Sequence, residues 1–254
     1  MQRFYRPDFE KQATGSALQW FNCAAASGAM LADQATLGIV DPEPDRVRAL
    51  TGDFTGGLTM GALGTAMERL GVPVTVYDND DRLTWPEAAG FLRRGHFMVV
   101  AGDYDALPVA LRGDKDYLGP HGVLYQQMGL RAIVVGDPLN DGRAPGIHRG
   151  FIKWPIDVAR RYVGRFDAQT VGGIHAVVMR PEWVKPRSQV MEAAVRAHHR
   201  SDAFLLGALP YGRRLVTGGA VDGEEIRGSK RWFRVWWPAD GRLGYVHSSV
   251  VYRA

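Results

Sequence analysis

The sequence of 254 residues predicts an α+β domain followed by a small all-β domain. Helical patterns occupy the first third of the chain and strand-like runs follow them, a segregation that favours an antiparallel sheet over an alternating parallel one. A break with two prolines at 181–188 precedes short strand-like runs separated by glycine turns. A chain of this length can bury one sizeable core and a second smaller one. We therefore expect two domains, 1–182 and 183–254.

The elements of the first domain follow from apolar spacing and from turn residues. Residues 22–37 combine small side chains with larger apolar groups at helical spacing, and a glycine ends the third helical pattern. β-Branched runs bounded by Gly and Asp predict the strands. The expected helices are 22–37, 44–50, 59–70, 85–93 and 154–162, and the expected strands are 72–77, 96–101, 122–128, 132–135 and 174–179.

The second domain is predicted from its short apolar runs and Gly-rich turns, which are typical of a small β-barrel. The expected strands are 214–217, 232–237 and 243–246, and a first strand is poorly marked within 191–203.

Composition and charge exclude several classes of protein. With 46% hydrophobic and 23% charged residues, the chain has the composition of a folded globular protein. No window approaches the roughly 20 apolar residues of a membrane helix, and the N-terminus lacks the apolar segment of a signal peptide. The net charge of +4 favours an anionic surface such as a bacterial wall or nucleic acid, or is simply a solvated basic face.

Metal and cofactor sites are not expected. A single cysteine excludes a disulfide and a multi-cysteine metal site. His198 and His199 are adjacent, so they diverge on any regular element, and no His-Glu-x-x-His motif is present. The glycines between Gly52 and Gly64 lack the lysine of a phosphate-binding loop. We expect no metal and no cofactor.

Cys23 is predicted to open the first helix. The positive end of a helix and a neighbouring imidazolium both lower a thiol pKa, which makes a cysteine a nucleophile. The small residues that follow, from Ala24 to Ala29, would let other backbone pack closely around the first turn. The alternative is that Cys23 is a small buried apolar residue, the commoner fate of a lone cysteine.

His121 and Asp137 are the candidate partners of Cys23. His121 begins one predicted strand, and Asp137 ends the next. If the two strands form a hairpin, the start of one lies beside the end of the other, and the carboxylate can then orient the imidazole. Separately, the residues could be a strand-edge histidine and an ordinary turn initiator.

This combination resembles the C39-like cysteine peptidases of the papain-like fold, over roughly residues 1–180. The resemblance is carried by Cys23 before a small-residue helix, by His121 at the head of a strand, and by the Gly-Asp-Pro that contains Asp137. It implies Cys23 as nucleophile, His121 as general base and Asp137 as orienting group. It also implies a glutamine oxyanion donor, for which Gln19 is the candidate.

Two features depart from the family pattern. Ala24 and Ala25 stand where the family has Gly-Pro, and Ala17 occupies the position six residues before the cysteine where the family has its glutamine. Gln19 is four residues upstream, and Gln12 is eleven.

The C-terminal part, roughly 188–254, resembles bacterial SH3-like domains in its Trp-containing strand and its later Gly-Tyr-Val turn. The resemblance implies binding of peptidoglycan peptides. Trp232, Trp236 and Tyr245 are the candidate binding residues. Successive residues of the Trp strand alternate between two faces, one expected in the core and the other exposed, and the sequence does not say which. The alternative is that most of these residues belong to the core.

Together these domains predict a peptidoglycan hydrolase encoded by a bacteriophage. The enzyme would be either an endolysin acting from the host cytoplasm on the wall, or a tail-associated lysin in the virion, with other tail proteins as partners. The alternative is a non-catalytic wall-binding or structural virion protein that keeps the peptidase fold. A processing peptidase is a third hypothesis, but the sequence shows none of the transporter segments to which such enzymes are fused. A nucleic-acid binder is the weakest hypothesis. No nucleic-acid or membrane partner is expected.

Overall fold

The computed structural model describes residues 7–140, 151–165, 173–239 and 241–254. It is a mixed α+β structure with two antiparallel sheets, which confirms the predicted class at that level. Among the described residues, 8–32 and 41–180 form one compact unit, and 33–40 and 181–254 belong to a second. No helix in the described ranges combines the length and apolar character needed to cross a membrane.

Five α-helices are present in the described part of the chain. Local signals place their ends: Thr59 caps one helix by accepting from Ala62 N at 3.1 Å, and Thr84 and Glu87 form a capping box on another. Gly52, with a φ of 75°, ends a third helix in the left-handed conformation. The bounds are α1 Cys23–Thr36, α2 Pro44–Thr51, α3 Met60–Arg69, α4 Trp85–Arg93 and α5 Ile156–Gly164.

The first unit contains a six-stranded antiparallel sheet. Its strands are β1 Val74–Tyr77, β2 Met98–Asp103, β3 Pro120–Met128, β4 Ala132–Gly136, β5 Phe151–Pro155 and β6 Ala176–Met179, in the order β1-β6-β2-β3-β4-β5. The core of this unit lies around β2, β3, β4 and α5, where Trp154, Tyr125 and Tyr162 are fully buried.

One prediction for this unit was wrong in part. Residues 154–162 were expected to be a single helix, but 151–155 form β5, which pairs with β4, and the helix begins only at Ile156. Pro155 explains the break, because it lacks an N–H and occupies the position before the first helical residue.

The second unit contains a seven-stranded antiparallel sheet in the order β13-β7-β10-β11-β12-β8-β9. The bounds are β7 Glu182–Pro186, β8 Glu192–Arg196, β9 Leu205–Pro210, β10 Leu215–Ile226, β11 Ser229–Trp237, β12 Arg242–His247 and β13 Val251–Arg253. Its core contains Phe233 and Val235 from one face of β11, packed with Val184 and Val246.

The proline-containing segment 181–188 was expected to lie at a boundary between domains, and the compact units divide at its first residue. Residues Glu182–Pro186 form β7, a strand paired on both sides, with β10 and with β13. Pro186 is tolerated at the last position of the strand. The expected boundary at 182/183 therefore falls inside a strand, and the compact units divide between Arg180 and Pro181.

Candidate active site

Cys23 is the first residue of α1, and it is partly accessible to solvent. The residue before it, Asn22, is fully buried, and its carbonyl accepts the first helical hydrogen bond from Ala26 N at 2.8 Å. The thiol therefore lies at the positive end of a 14-residue helix. A buried residue would have no route to a substrate, so the partial exposure of Cys23 fits a reactive thiol.

Small residues bring the first turn of α1 against β3. Ala24, Ala25 and Ala26 are buried, and a Cβ added to Gly122 would lie 3.0 Å from Ala24 Cα. Ser27 Oγ donates to the carbonyl of Gly122 at 3.0 Å. This close approach places Cys23 beside the residue that precedes Gly122, which is His121.

His121 is held from several sides. It is 2% exposed, and Tyr162 Oη donates to its carbonyl at 2.5 Å. The rings of Tyr104 and Tyr117 meet the imidazole edge to face, with centroids 4.8 and 5.7 Å away. Its Nε2 lies 2.8 Å from Asp137 Oδ1, while Nδ1 is buried and makes no hydrogen bond of standard geometry within the described residues. Nδ1 is thus the nitrogen left to serve Cys23.

Asp137 is fully buried, and each of its carboxylate oxygens accepts hydrogen bonds. Oδ1 accepts from Leu139 N at 3.0 Å as well as contacting His121, and Oδ2 accepts from Tyr104 Oη at 2.8 Å. Tyr104 Oη in turn accepts from Gly113 N at 2.7 Å. The carboxylate therefore cannot rotate away from the imidazole without breaking three hydrogen bonds.

The hairpin expected from sequence brings these residues together. Strands β3 and β4 pair antiparallel, with Leu124 opposite Gly136, so the start of β3 lies beside the end of β4. Tyr104 and Tyr162 were missed by sequence reasoning, because a tyrosine in a short 3-10 turn or on a helix gives no signal that its hydroxyl faces a distant residue.

The charges of the site reinforce one another. Burial disfavours protonation of His121, but the Asp137 carboxylate and Cys23 outweigh it and raise the pKa of His121 to about 9. Burial would raise the pKa of the Cys23 thiol, but His121 and the backbone N–H groups of Gly122 and Ala24 outweigh it and lower that pKa below its ordinary value. Opposite shifts of this kind favour a thiolate–imidazolium pair near neutral pH.

The predicted oxyanion donor Gln19 lies four residues before Cys23, in the 3-10 turn Gln19–Phe21. Its Oε1 accepts from Gly15 N at 3.0 Å, a contact that points the amide oxygen toward the preceding loop. Gln12 is 2% exposed and donates its backbone N–H to Pro138 O at 3.3 Å. Neither contact joins a glutamine amide to Cys23, so the role of Gln19 stays a prediction.

A groove of about 880 Å³ borders this site on the Asp137 side. Trp20, Val109 and Pro138 contribute apolar surface, and Trp20 and Val109 are 60% and 54% exposed. Lys11, Arg112, Asp114, Lys115 and Asp116 supply charges of both signs at the same groove. Such a mixture suits a substrate with both apolar and polar groups.

The three binding residues predicted in the second unit differ in exposure. Trp232 is 2% exposed and its Nε1 donates to Glu224 O at 2.9 Å, so its ring lies in the interior of the second unit, and a binding role for it stays a prediction. Its ring also packs on His247, with centroids 5.0 Å apart. Trp236 and Tyr245 are half-buried and stay predictions.

In the described ranges, no three His, Cys, Asp or Glu side chains cluster in a way that could hold a metal ion.

No protein-family model matches the chain, and no curated protein matches it. Among solved structures, it is similar to a crystal structure from Bacillus anthracis described as a "putative C39-like peptidase", with 13% identity, a TM-score of 0.49, and coverage of 70% of this chain and 96% of that one. A second similar structure, Ly7917, has 10% identity, a TM-score of 0.24, and coverage of 78% of this chain and 70% of that one. Similarity at this level assigns no activity.

Proposed function

We propose that this chain is a cysteine hydrolase of papain-like fold that cleaves peptide or amide bonds through an acyl-enzyme. The observation that carries the proposal is the buried His121–Asp137 pair, 2.8 Å apart, whose second imidazole nitrogen is left for Cys23 at the start of α1. A nucleophile, a base and a group that orients the base are the three parts that acyl transfer needs.

The steps follow from these positions. The Cys23 thiolate attacks the carbonyl carbon, a C–S bond forms, and the backbone N–H of Cys23, with Gln19 as the proposed second donor, faces the developing oxyanion. His121 gives its Nδ1 proton to the leaving amine as the C–N bond breaks. Water then attacks the thioester, His121 takes a proton from that water, and the carboxylic acid and the thiolate are released.

Bacterial peptidoglycan is the proposed substrate, and a bacteriophage lysin, either an endolysin or a tail-associated enzyme, is the proposed context. The support comes from the second unit, where the Trp-strand and Gly-Tyr-Val pattern resembles SH3-like wall-binding domains. Residues 181–254 also contain twelve Lys and Arg against seven Asp and Glu. A basic domain is attracted to the anionic polymers of a cell wall.

One observation favours a second candidate, a non-catalytic wall-binding or virion protein. The Gln19 side chain bonds to Gly15, and the family's glutamine position holds Ala17. Loss of one oxyanion donor typically costs about 10²- to 10³-fold in rate, which would leave a slow enzyme.

The test is a release assay on purified actinobacterial peptidoglycan that compares the wild type with Cys23→Ala and follows new free amines by mass spectrometry. We expect amines from the wild type alone, and their position identifies the bond that is cleaved. If neither protein releases amines while both bind the wall, the non-catalytic candidate is correct.

A further inference from the structure

Arg48 on α2 is a buried cation with four hydrogen bonds, two of which go to the residues that precede Cys23. It is 2% exposed. Its Nε donates to Asn22 Oδ1 at 2.5 Å, and its Nη2 donates to the carbonyl of Phe21. Its Nη1 donates to the carbonyls of Gly56 and Asp53, at 2.8 and 3.3 Å. One guanidinium therefore ties the two residues before Cys23 to the loop between α2 and α3.

All four of these hydrogen bonds go to uncharged oxygen atoms. A buried arginine normally pairs with a carboxylate, because desolvating an isolated charge is expensive. The acidic groups that act on Arg48 are Asp53, which is half-buried and offers the guanidinium its backbone carbonyl, and Asp45, which reaches the guanidinium through Asn22: Asn22 Nδ2 donates to Asp45 Oδ1 at 2.7 Å. The remaining group of opposite charge that acts on Arg48 is the Cys23 thiolate.

We infer that Arg48 is a positioning residue for Cys23, fixing the turn that carries the sulfur and supplying a buried positive charge that favours the thiolate. The inference rests on the proposed function. The role of Arg48 is distinct from that of His121, because Arg48 keeps its charge through the reaction and transfers no proton.

Several other groups also interact electrostatically with the Cys23 sulfur, and their charges must stay constant when Arg48 is changed. His121 on β3 is the titrating partner, Tyr117 precedes β3, and Tyr162 lies on α5. Burial and the Cys23 thiolate raise the pKa of Tyr117, and burial raises the pKa of Tyr162, so both tyrosines remain neutral between pH 4 and 9. Among these groups Arg48 carries the permanent charge, so removing it isolates the electrostatic effect of that charge on the Cys23 thiol.

The experiment measures the rate of Cys23 alkylation by iodoacetamide from pH 4 to 10 in the full chain. Because Cys23 is the one cysteine in the sequence, the mass of the whole protein reports its labelling. Arg48→Met is expected to move the midpoint of the pH profile upward by about one unit, since it removes a buried positive charge near a partly buried thiolate. Arg48→Lys keeps the charge and is expected to move the midpoint by less than half as much.

Arg69→Met is the matched control. Arg69 Nη1 donates to the carbonyl of Leu50 at 2.6 Å, so this variant also removes an arginine bonded to backbone near α2, but one that acts on no residue beside Cys23. We expect a wild-type midpoint. Circular dichroism and thermal unfolding establish that each variant is folded. A folded Arg48→Met with the wild-type midpoint overturns the inference.

If Arg48→Met does not fold, Asp45→Asn tests the inference instead. It keeps the Oδ1 acceptor for Asn22 and Ser16 and removes the negative charge that opposes Arg48. The midpoint is expected to fall, and an unchanged midpoint overturns the inference. Alkylation needs no hydrolysis, so a shifted midpoint in a protein that releases nothing from peptidoglycan would uphold the role of Arg48 while rejecting the hydrolysis of peptidoglycan.

Discussion

Asp137→Asn isolates the contribution of the buried carboxylate to the candidate site. Asparagine keeps an Oδ1 that can accept from His121 Nε2 and Leu139 N, while its Nδ2 replaces the Oδ2 that accepts from Tyr104 Oη, so the variant removes the negative charge together with that one hydrogen bond. The carboxylate and Cys23 raise the pKa of His121 from 6.5 to about 9 against the opposing effect of burial. That difference corresponds to about 3 kcal/mol in favour of the imidazolium.

Without the charge, burial leaves His121 neutral at pH 7, and the thiolate of Cys23 loses its imidazolium partner. We expect the rate of amide hydrolysis to fall by about 10²- to 10⁴-fold, in the range found when a triad carboxylate becomes an amide. The basic limb of the pH–rate profile, near pH 9 in the wild type, is expected to disappear because it reports deprotonation of His121.

The assay is amine release from peptidoglycan between pH 5 and 10, together with Cys23 alkylation. Asp157→Asn is the matched control, since Asp157 is an exposed α5 residue whose carboxylate lies 3.6 Å from Arg161. It should behave as the wild type. A folded Asp137→Asn that keeps the basic limb near pH 9 and a rate within threefold of the wild type would refute the reasoning.

Two further predictions concern packing. Gly122→Val would press its side chain against Ala24, because even a Cβ at this position lies 3.0 Å from Ala24 Cα. The variant should separate α1 from β3 and slow Cys23 alkylation at pH 7. Gly164→Val is the control, since that glycine has open space around it. Wild-type labelling in Gly122→Val would contradict the assembly of the site. Trp232→Ala should destabilise the second unit by about 3–5 kcal/mol in urea unfolding because the ring is 2% exposed, whereas Trp236→Ala should cost less than half of that. Equal losses would contradict the assignment of Trp232 to the interior.

The central geometry of the site could be predicted from sequence because it depends on short-range signals. A helix start at Cys23 and a two-strand hairpin place three residues by local rules, and the structure brings His121 and Asp137 to 2.8 Å. The segregation of helices and strands likewise predicted the mixed α+β class.

The rest depends on contacts between residues distant in sequence. In the sequence, Arg48 has the pattern typical of an exposed position on a polar helix. Only the fold shows that its guanidinium reaches Phe21 and Asn22. Strand β7 was missed because Pro181 precedes it and Pro186 ends it, and proline is disfavoured in strands, although pairing with β10 and β13 offsets that preference. Alternation along β11 identifies its two faces but does not say which of them is covered, and only the structure shows that Trp232 is 2% exposed.

The most direct test of the thiolate–imidazolium pair is the pH profile of Cys23 alkylation in the wild type and in His121→Ala. We predict that wild-type Cys23 reacts as a thiolate at a pH well below the ordinary titration of a thiol, and that His121→Ala moves the midpoint upward. A wild-type midpoint near about 8.5, the value of a free cysteine, that does not change in His121→Ala would contradict the proposed catalytic site.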